Sequence, residues 1–188
     1  MISIRPAVAA DEPFLRTVLA AAADWRPGSV VRSGDEVMED PAIVHYLAGW
    51  PRPSDVGFVA DDDGAAVGAV WWRYSDGDTH GYGVVADDVP ELTIGVVADR
   101  RGEGVGRLLL DTLVAEARRR GIARISLSVE ADNPAKHLYD AAGFVAVSGH
   151  ADAPTMVLVT LPGHVRSASV GSTDYVRHHR HRQSTPDA

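Results

Sequence analysis

The sequence predicts one mixed α/β domain, and three segments carry that reading. Val56 to Ala60 and Val67 to Trp72 flank the turn Asp61-Asp62-Asp63-Gly64, which is the pattern of a β-hairpin. Glu91 to Val97 reads as a strand. It runs through a glycine-rich turn into a helix from about Gly104 to Arg120. A second strand and short helix follow at Ile122–Val129 and Asn133–Ala142.

The remaining elements fall into place in chain order. Ile2-Ser3-Ile4 alternates and Pro6 ends the run, giving a short first strand. Asp11 is read as the cap of a helix with Pro13 in its first turn and Phe14, Leu15, Val18 and Leu19 on its apolar face. Residues 24–34 hold Pro27, Gly28 and Gly34 and read as loop. A second helix begins near Asp35 and is made irregular, or split, by Pro41. The helix at 104–120 takes Val105, Leu108, Leu109, Thr112, Leu113 and Ala117 as its buried stripe. Arg118–Arg120 complement its negative end and Gly121 stops it. Strands at 144–148 and 155–161 complete the domain, assigned to residues 1–162. Residues 163–188 are polar and aperiodic and are expected to form a disordered tail.

Composition narrows the function. The 188 residues include no cysteine, which removes disulfides, thiolate nucleophiles and cysteine-bound metal. The N-terminus lacks a secretory pattern and no run is long enough to span a membrane, so a cytoplasmic protein is expected. The formal charge is −8. Residues 34–91 carry 13 acids against Arg52 and Arg73, a local net of −11. Such a field disfavours nucleic acid and suits either a plain solvated surface or a mouth for a cationic amine. No His/Asp cluster in the body suggests a metal. The tail run His178-His179-Arg180-His181-Arg182 reads as a solvated segment rather than a metal or anion site.

The segment Arg101-Gly102-Glu103-Gly104-Val105-Gly106 lies between the best strand and the best helix. Glycines there permit a tight turn, and exposed N–H groups at a helix start can hold a pyrophosphate. The dinucleotide fingerprint fails because Arg107 stands where glycine or alanine is needed, and the Gly-Lys-Ser/Thr of a P-loop occurs nowhere. The segment instead resembles the Arg/Gln-x-x-Gly-x-Gly/Ala motif of the GCN5-related N-acetyltransferases (GNAT). The resemblance extends through Glu91–Val97, Ser126–Glu130, Asn133-Pro134-Ala135, Tyr139 and Gly143-Phe144. It implies a mixed, mostly antiparallel sheet of about seven strands with about four helices and a splayed central strand pair.

The resemblance also implies roles. Residues Arg101, Gly102, Glu103, Gly104, Val105 and Gly106 would bind the pyrophosphate of acetyl-CoA, the cosubstrate. Val96 and Val97 would hydrogen-bond its pantetheine arm, and the N–H near Val97 would polarise the thioester. Asn133 would cap the next helix beside that arm. Tyr139 is the candidate acid toward the leaving sulfur, or a residue that positions it, with aromatic packing as the alternative. Glu91 is the candidate base. It could equally bind the substrate ammonium or be an ordinary surface residue. His45 and His80 are weaker candidates for the acceptor side, and His137 reads as a surface residue. Of Trp25, Trp50, Trp71 and Trp72, at least one is expected to wall the acceptor site. Arg100 and Arg107 could assist with the CoA phosphates. The implied function is acetyl transfer from acetyl-CoA to a small cationic amine or a peptide N-terminus. Another acyl group, a hydroxyl acceptor or a non-catalytic acyl-CoA sensor are the alternatives. A homodimer is compatible with the reading, and no membrane or nucleic-acid partner is expected.

Overall fold

The computed structural model describes residues 1–26, 28–30, 32–77, 81–150 and 152–161. The tail 163–188, with its His/Arg run, and the candidate His80 lie outside the described residues. The elements are β1 (Ile2–Pro6), α1 (Glu12–Ala23), α2 (Gly34–Glu39), β2 (Val56–Asp62), β3 (Ala65–Arg73), β4 (Glu91–Val96), α3 (Val105–Arg119), β5 (Arg124–Ser128), α4 (Ala135–Ala142), β6 (Val145–His150) and β7 (Ala153–Val159). Short 3₁₀ turns occupy Ala9–Asp11, Val44–Tyr46 and Ala98–Arg100. No helix among the described residues is long and apolar enough to cross a membrane.

The strands form one sheet in the order β1-β2-β3-β4-β5-β7-β6. Neighbours are antiparallel except β4 and β5, which run parallel and share one aligned pair, Glu91 with Ser126. The N–H of Ser126 donates to the Pro90 carbonyl at 3.0 Å. Beyond that point β4 runs on to Val96 with β3 alone, so the two central strands part.

Strand alternation distributes the core to both faces. Val59, Ala69 and Trp71 pack with Leu15, Val18 and Leu19 of α1. Ala60, Val70 and Trp72 pack with Leu109, Leu110 and Leu113 of α3. The stripe of α3 differs from the sequence reading. Leu108 is 42 % exposed, and the Thr112 hydroxyl bonds back to the Leu108 carbonyl. Leu110 and Val114 are buried instead, because the stripe is centred further round the helix.

Both helix starts on the other face depart from, or refine, expectation. Asp11 does not cap α1 with its side chain, because the turn Ala9–Asp11 precedes the helix. Its carboxylate accepts the Val8 N–H and pairs with the Arg5 guanidinium at 2.8 Å. α2 starts on a reciprocal Ser33–Glu36 box, and Pro41 does split the segment: the chain resumes as the turn Val44–Tyr46.

The segment 44–55 is fastened to β3. Trp71 Nε1 donates to the Tyr46 carbonyl at 2.9 Å, and Trp72 Nε1 donates to the Ser54 carbonyl at 3.3 Å. Arg73, buried, pairs with fully buried Asp55 at 2.5 Å and donates to the carbonyls of His45 and Ala48. Removing one partner of such a pair strands a charge in the interior. Asp55→Ala is therefore expected to cost about 3–5 kcal/mol, read as a lower midpoint in urea unfolding.

Candidate active site

The parting of β4 from β5 opens a cleft of about 1000 Å³. Its walls are the end of α1, β4, the 100–107 loop, the end of β5 and the start of α4. One mouth is formed by the glycine turn that leads into α3. Gly102 and Gly104 both hold left-handed backbone, at φ of 81° and 86°, which an L side chain resists. This geometry leaves the N–H groups from Gly102 to Arg107 without an acceptor among the described residues, at the positive end of a 15-residue helix. Glu103 and Val105 contribute backbone only: Glu103 pairs with Arg100, and the Val105 side chain is in the core. Arg100 and Arg107 are engaged by acids, Asp62 with Glu103 and Asp111 respectively. Arg101 ties the loop down, its Nε on the Val96 carbonyl and its Nη2 on the Ala21 carbonyl.

β4 supplies the open edge, but not with every residue expected. The Val97 N–H donates to the Val67 carbonyl at 3.0 Å, and Val97 does not line the cleft. It cannot polarise a thioester from there. Alternation turns the peptides of Val97 and Gly95 toward β3, and those of Val96 and Ile94 toward the gap. Val96 and Ile94 both line the cleft. Asn133 lines the cleft and caps locally, its Oδ1 accepting the Ala135 N–H at 2.9 Å.

Glu91 sits at the floor, where β4 and β5 still touch. It is 6 % exposed and so is no surface residue. Its Oε1 accepts the Tyr46 hydroxyl at 2.9 Å and the Gly83 N–H at 2.8 Å. Burial pushes its carboxyl up to about 7, against a partial downward pull from those two hydrogen bonds. Tyr46 in turn accepts the Tyr82 N–H at 2.8 Å, and burial raises its own phenol well above the usual range.

Tyr139 is buried on α4, packs edge-on to Phe144 at 5.8 Å, and lines the same cleft. Burial alone raises its pKa, so the phenol keeps its proton at neutral pH. Packing and an acid role are thus compatible here.

The tryptophans sort clearly. Trp50, Trp71 and Trp72 are core. Trp25 lines the cleft, with Nε1 on Glu130 Oε2 at 2.6 Å and the Arg26 guanidinium over its ring at 4.9 Å. His137 is exposed on α4. His45 lies behind Glu91 on a second cavity of about 20 Å³, its ring 4.1 Å from Tyr46. Burial and the charge of Arg73 lower its pKa, holding the imidazole neutral. No group of three or more His, Asp or Glu side chains among the described residues could hold a metal ion. Tyr46, Tyr82, Gly83, Ile94 and Glu130 were not singled out from sequence. Ile94 and Glu130 lay inside stretches that carried the resemblance, whereas Tyr46, Tyr82 and Gly83 offered only an isolated tyrosine in a broken helix and a Gly-Tyr-Gly in an unpatterned loop.

The cleft thus joins, at one mouth, a helix start whose N–H groups have no acceptor among the described residues and, at its floor, a buried, ionisable carboxyl. The chain belongs to the Acetyltransferase (GNAT) family, whose sequence model matches residues 20–144. A mycothiol acetyltransferase of Propionibacterium freudenreichii subsp. shermanii is 36 % identical over 100 residues, 53 % of this chain and 30 % of that protein. The [ribosomal protein bS18]-alanine N-acetyltransferase of Escherichia coli K12 is 40 % identical over 62 residues, 32 % of this chain and 42 % of that protein. The chain thus spans less than half the length of these relatives. Among solved structures, a Salmonella typhimurium acetyltransferase with its cofactor acetyl-CoA shares the fold at a TM-score of 0.63 and 22 % identity, over 89 % of this chain and 99 % of that one.

Two outcomes follow from Glu91. The folded protein holds its proton to about pH 7, whereas the carboxyl in an unfolded chain releases it near 4.5. Folding therefore binds a proton across that interval, and stability falls as pH rises through it. Glu91→Gln should stabilise the fold by up to about 3 kcal/mol at pH 8 and not at pH 4, measured by thermal melts at both. Tyr46→Phe removes a hydrogen bond that lowers the Glu91 pKa. The acidic limb of the rate profile should then move to higher pH.

Proposed function

We propose that this chain transfers an acetyl group from acetyl-CoA directly to a primary amine of a small cationic molecule or a peptide N-terminus. The observation that carries this reading is Glu91: a buried carboxyl with a pKa of about 7, at the floor of a cleft whose far mouth offers unpaired backbone N–H groups. The free N–H groups from Gly102 to Arg107 suit the donor's pyrophosphate. The open peptides of Ile94 and Val96 suit an extended amide-bearing arm.

A general base works best with a pKa near the working pH. Glu91 meets that condition through burial, and Tyr46 with Gly83 fixes its Oε1. It accepts the proton that the amine must lose as the new N–C bond forms and the C–S bond breaks. Tyr139, kept as a phenol by burial, supplies a proton or hydrogen bond to the departing sulfur. Both steps use side chains on opposite walls of one cleft, and no covalent enzyme intermediate is needed. The relatives' acceptors, mycothiol chemistry and a protein N-terminal alanine by their names, span both acceptor types.

Support for a cationic acceptor is local. Of the acids in 34–91, Glu91 lines the cleft; Glu130, after β5, lines it too but is paired with Arg26 at 2.8 Å. Many of the others are spent on arginines, as Asp55 is on Arg73 and Asp40 on Arg32.

Thiol release from acetyl-CoA over a panel of amines tests the reading. The enzyme has no cysteine, so a thiol reagent reports CoA alone. Release is expected with at least one amine, and none with any amine despite CoA binding overturns the proposal. Tyr139→Phe should lower turnover by about 10²-fold or more while CoA affinity, measured by calorimetry, holds. Equal turnover would remove the acid role.

A further inference from the structure

The segment Gly81-Tyr82-Gly83 crosses the floor of the cleft, and its backbone is fixed from three strands. The Gly83 N–H donates to Glu91 on β4. A Cβ at Gly83 would lie 2.5 Å from the Leu127 carbonyl carbon and 2.6 Å from the Ser128 nitrogen, so this residue lies directly on the β5 backbone. The Tyr82 carbonyl accepts the Thr155 hydroxyl of β7 at 3.1 Å. The Tyr82 N–H is held by Tyr46. At Gly81 any side chain would collide with Glu91 Oε2. Two glycines are thus required by close approach, and the residue between them has no freedom of backbone.

The side chain of that residue is the opposite case. Tyr82 is 67 % exposed and lines the cleft. A rigid backbone presents a large aromatic ring to the space in front of the buried base. Its π face attracts cations, more strongly where water is excluded. An amine that reacts must be neutral, so it cannot be the group this face holds. A second, still-protonated group on the same molecule can.

We propose that the Gly81–Tyr82–Gly83 strap selects the acceptor, with the Tyr82 ring holding a second cationic group of an amine whose first nitrogen is presented to Glu91. The proposal rests on the acetyl-transfer reading above and names the acceptor class: a diamine or an amine bearing a fixed cation. Phe at position 82 keeps the π face, and Ala removes it.

The test compares 1,4-diaminobutane with 1-aminobutane, as substrates with acetyl-CoA and as ligands of the CoA-saturated protein by calorimetry. The wild type and Tyr82→Phe should prefer the diamine, by about tenfold, in both assays. Tyr82→Ala should lose that preference through KM rather than kcat, with CoA affinity held. Gly83→Ala should dislodge the strap, so that diamine preference falls and the acidic limb of the rate profile moves up together. Equal use of both amines by the wild type, or an unchanged preference in Tyr82→Ala, overturns the selector and leaves acetyl transfer standing. If the wild type neither binds nor acetylates either amine, the strap's role falls here. The acetyl-transfer reading falls only if the wider panel also fails.

Discussion

β4 and β5 share one aligned pair, and everything functional in the molecule depends on their parting after it. The pair Glu91–Ser126 and the bond from Ser126 N–H to Pro90 hold the strands together at one end. Above it, β4 keeps only β3, so the peptides of Ile94 and Val96 face open space rather than a ladder. A half-paired strand inside a sheet normally invites a partner. Here the vacancy in the ladder is kept from closing. Arg101 occupies the Val96 carbonyl, the strap 81–83 lies across the floor, and Trp25 with Arg26 engages Glu130 from the far wall. A cleft in the middle of the core follows, with one end at a helix start and the other at a buried acid.

The chemistry of that acid is set by a chain of packing that begins far from it. Arg73 and Asp55 satisfy one another in the interior, and Arg73 also holds the carbonyls of His45 and Ala48. Trp71 holds the carbonyl of Tyr46 between them. Tyr46 therefore leaves a fixed backbone and can fix Glu91 in turn. Burial raises the carboxyl and the two donors on Oε1 lower it, and the balance falls near neutrality. Either effect alone would set it elsewhere: a solvated glutamate would ionise well below neutrality, and a buried one without donors would stay protonated further up the pH scale.

Much of this was legible in the sequence, and what was not has a common cause. Strand and helix periodicity gave the element order, and the Arg-x-x-Gly-x-Gly run placed the anion loop, because both signals are local. Glu91 and Tyr139 were singled out through the family resemblance around them, and both line the cleft. The failures are matters of tertiary detail. Val97 was offered as a donor, yet the β3 ladder extends one residue further and takes its N–H. Leu108 was placed in the core because period alone cannot say where a stripe is centred. Trp71 and Trp72 do alternate, but the sheet is covered on both faces, so both are core. Tyr46 and Gly83 reach Glu91 from 45 and 8 residues away in chain order, through loops that carry no periodic signal.

The charge pattern shows the same limit from another side. A net of −11 over residues 34–91 looks like a field for a cation when read along the chain. Folded, that excess is dispersed into ion pairs with arginines from elsewhere: Asp61 with Arg5, Asp62 with Arg100, Asp35 with Arg16, Asp40 with Arg32. Exposed pairs of this kind contribute little energy each, but they cancel the field they came from. What remains in the cleft is polar in a stricter sense. Arg100, Arg101 and Arg107 and the helix start lie at one mouth, and Glu91 lies at the floor. The passage thus runs from the helix start to the buried carboxyl where β4 and β5 part.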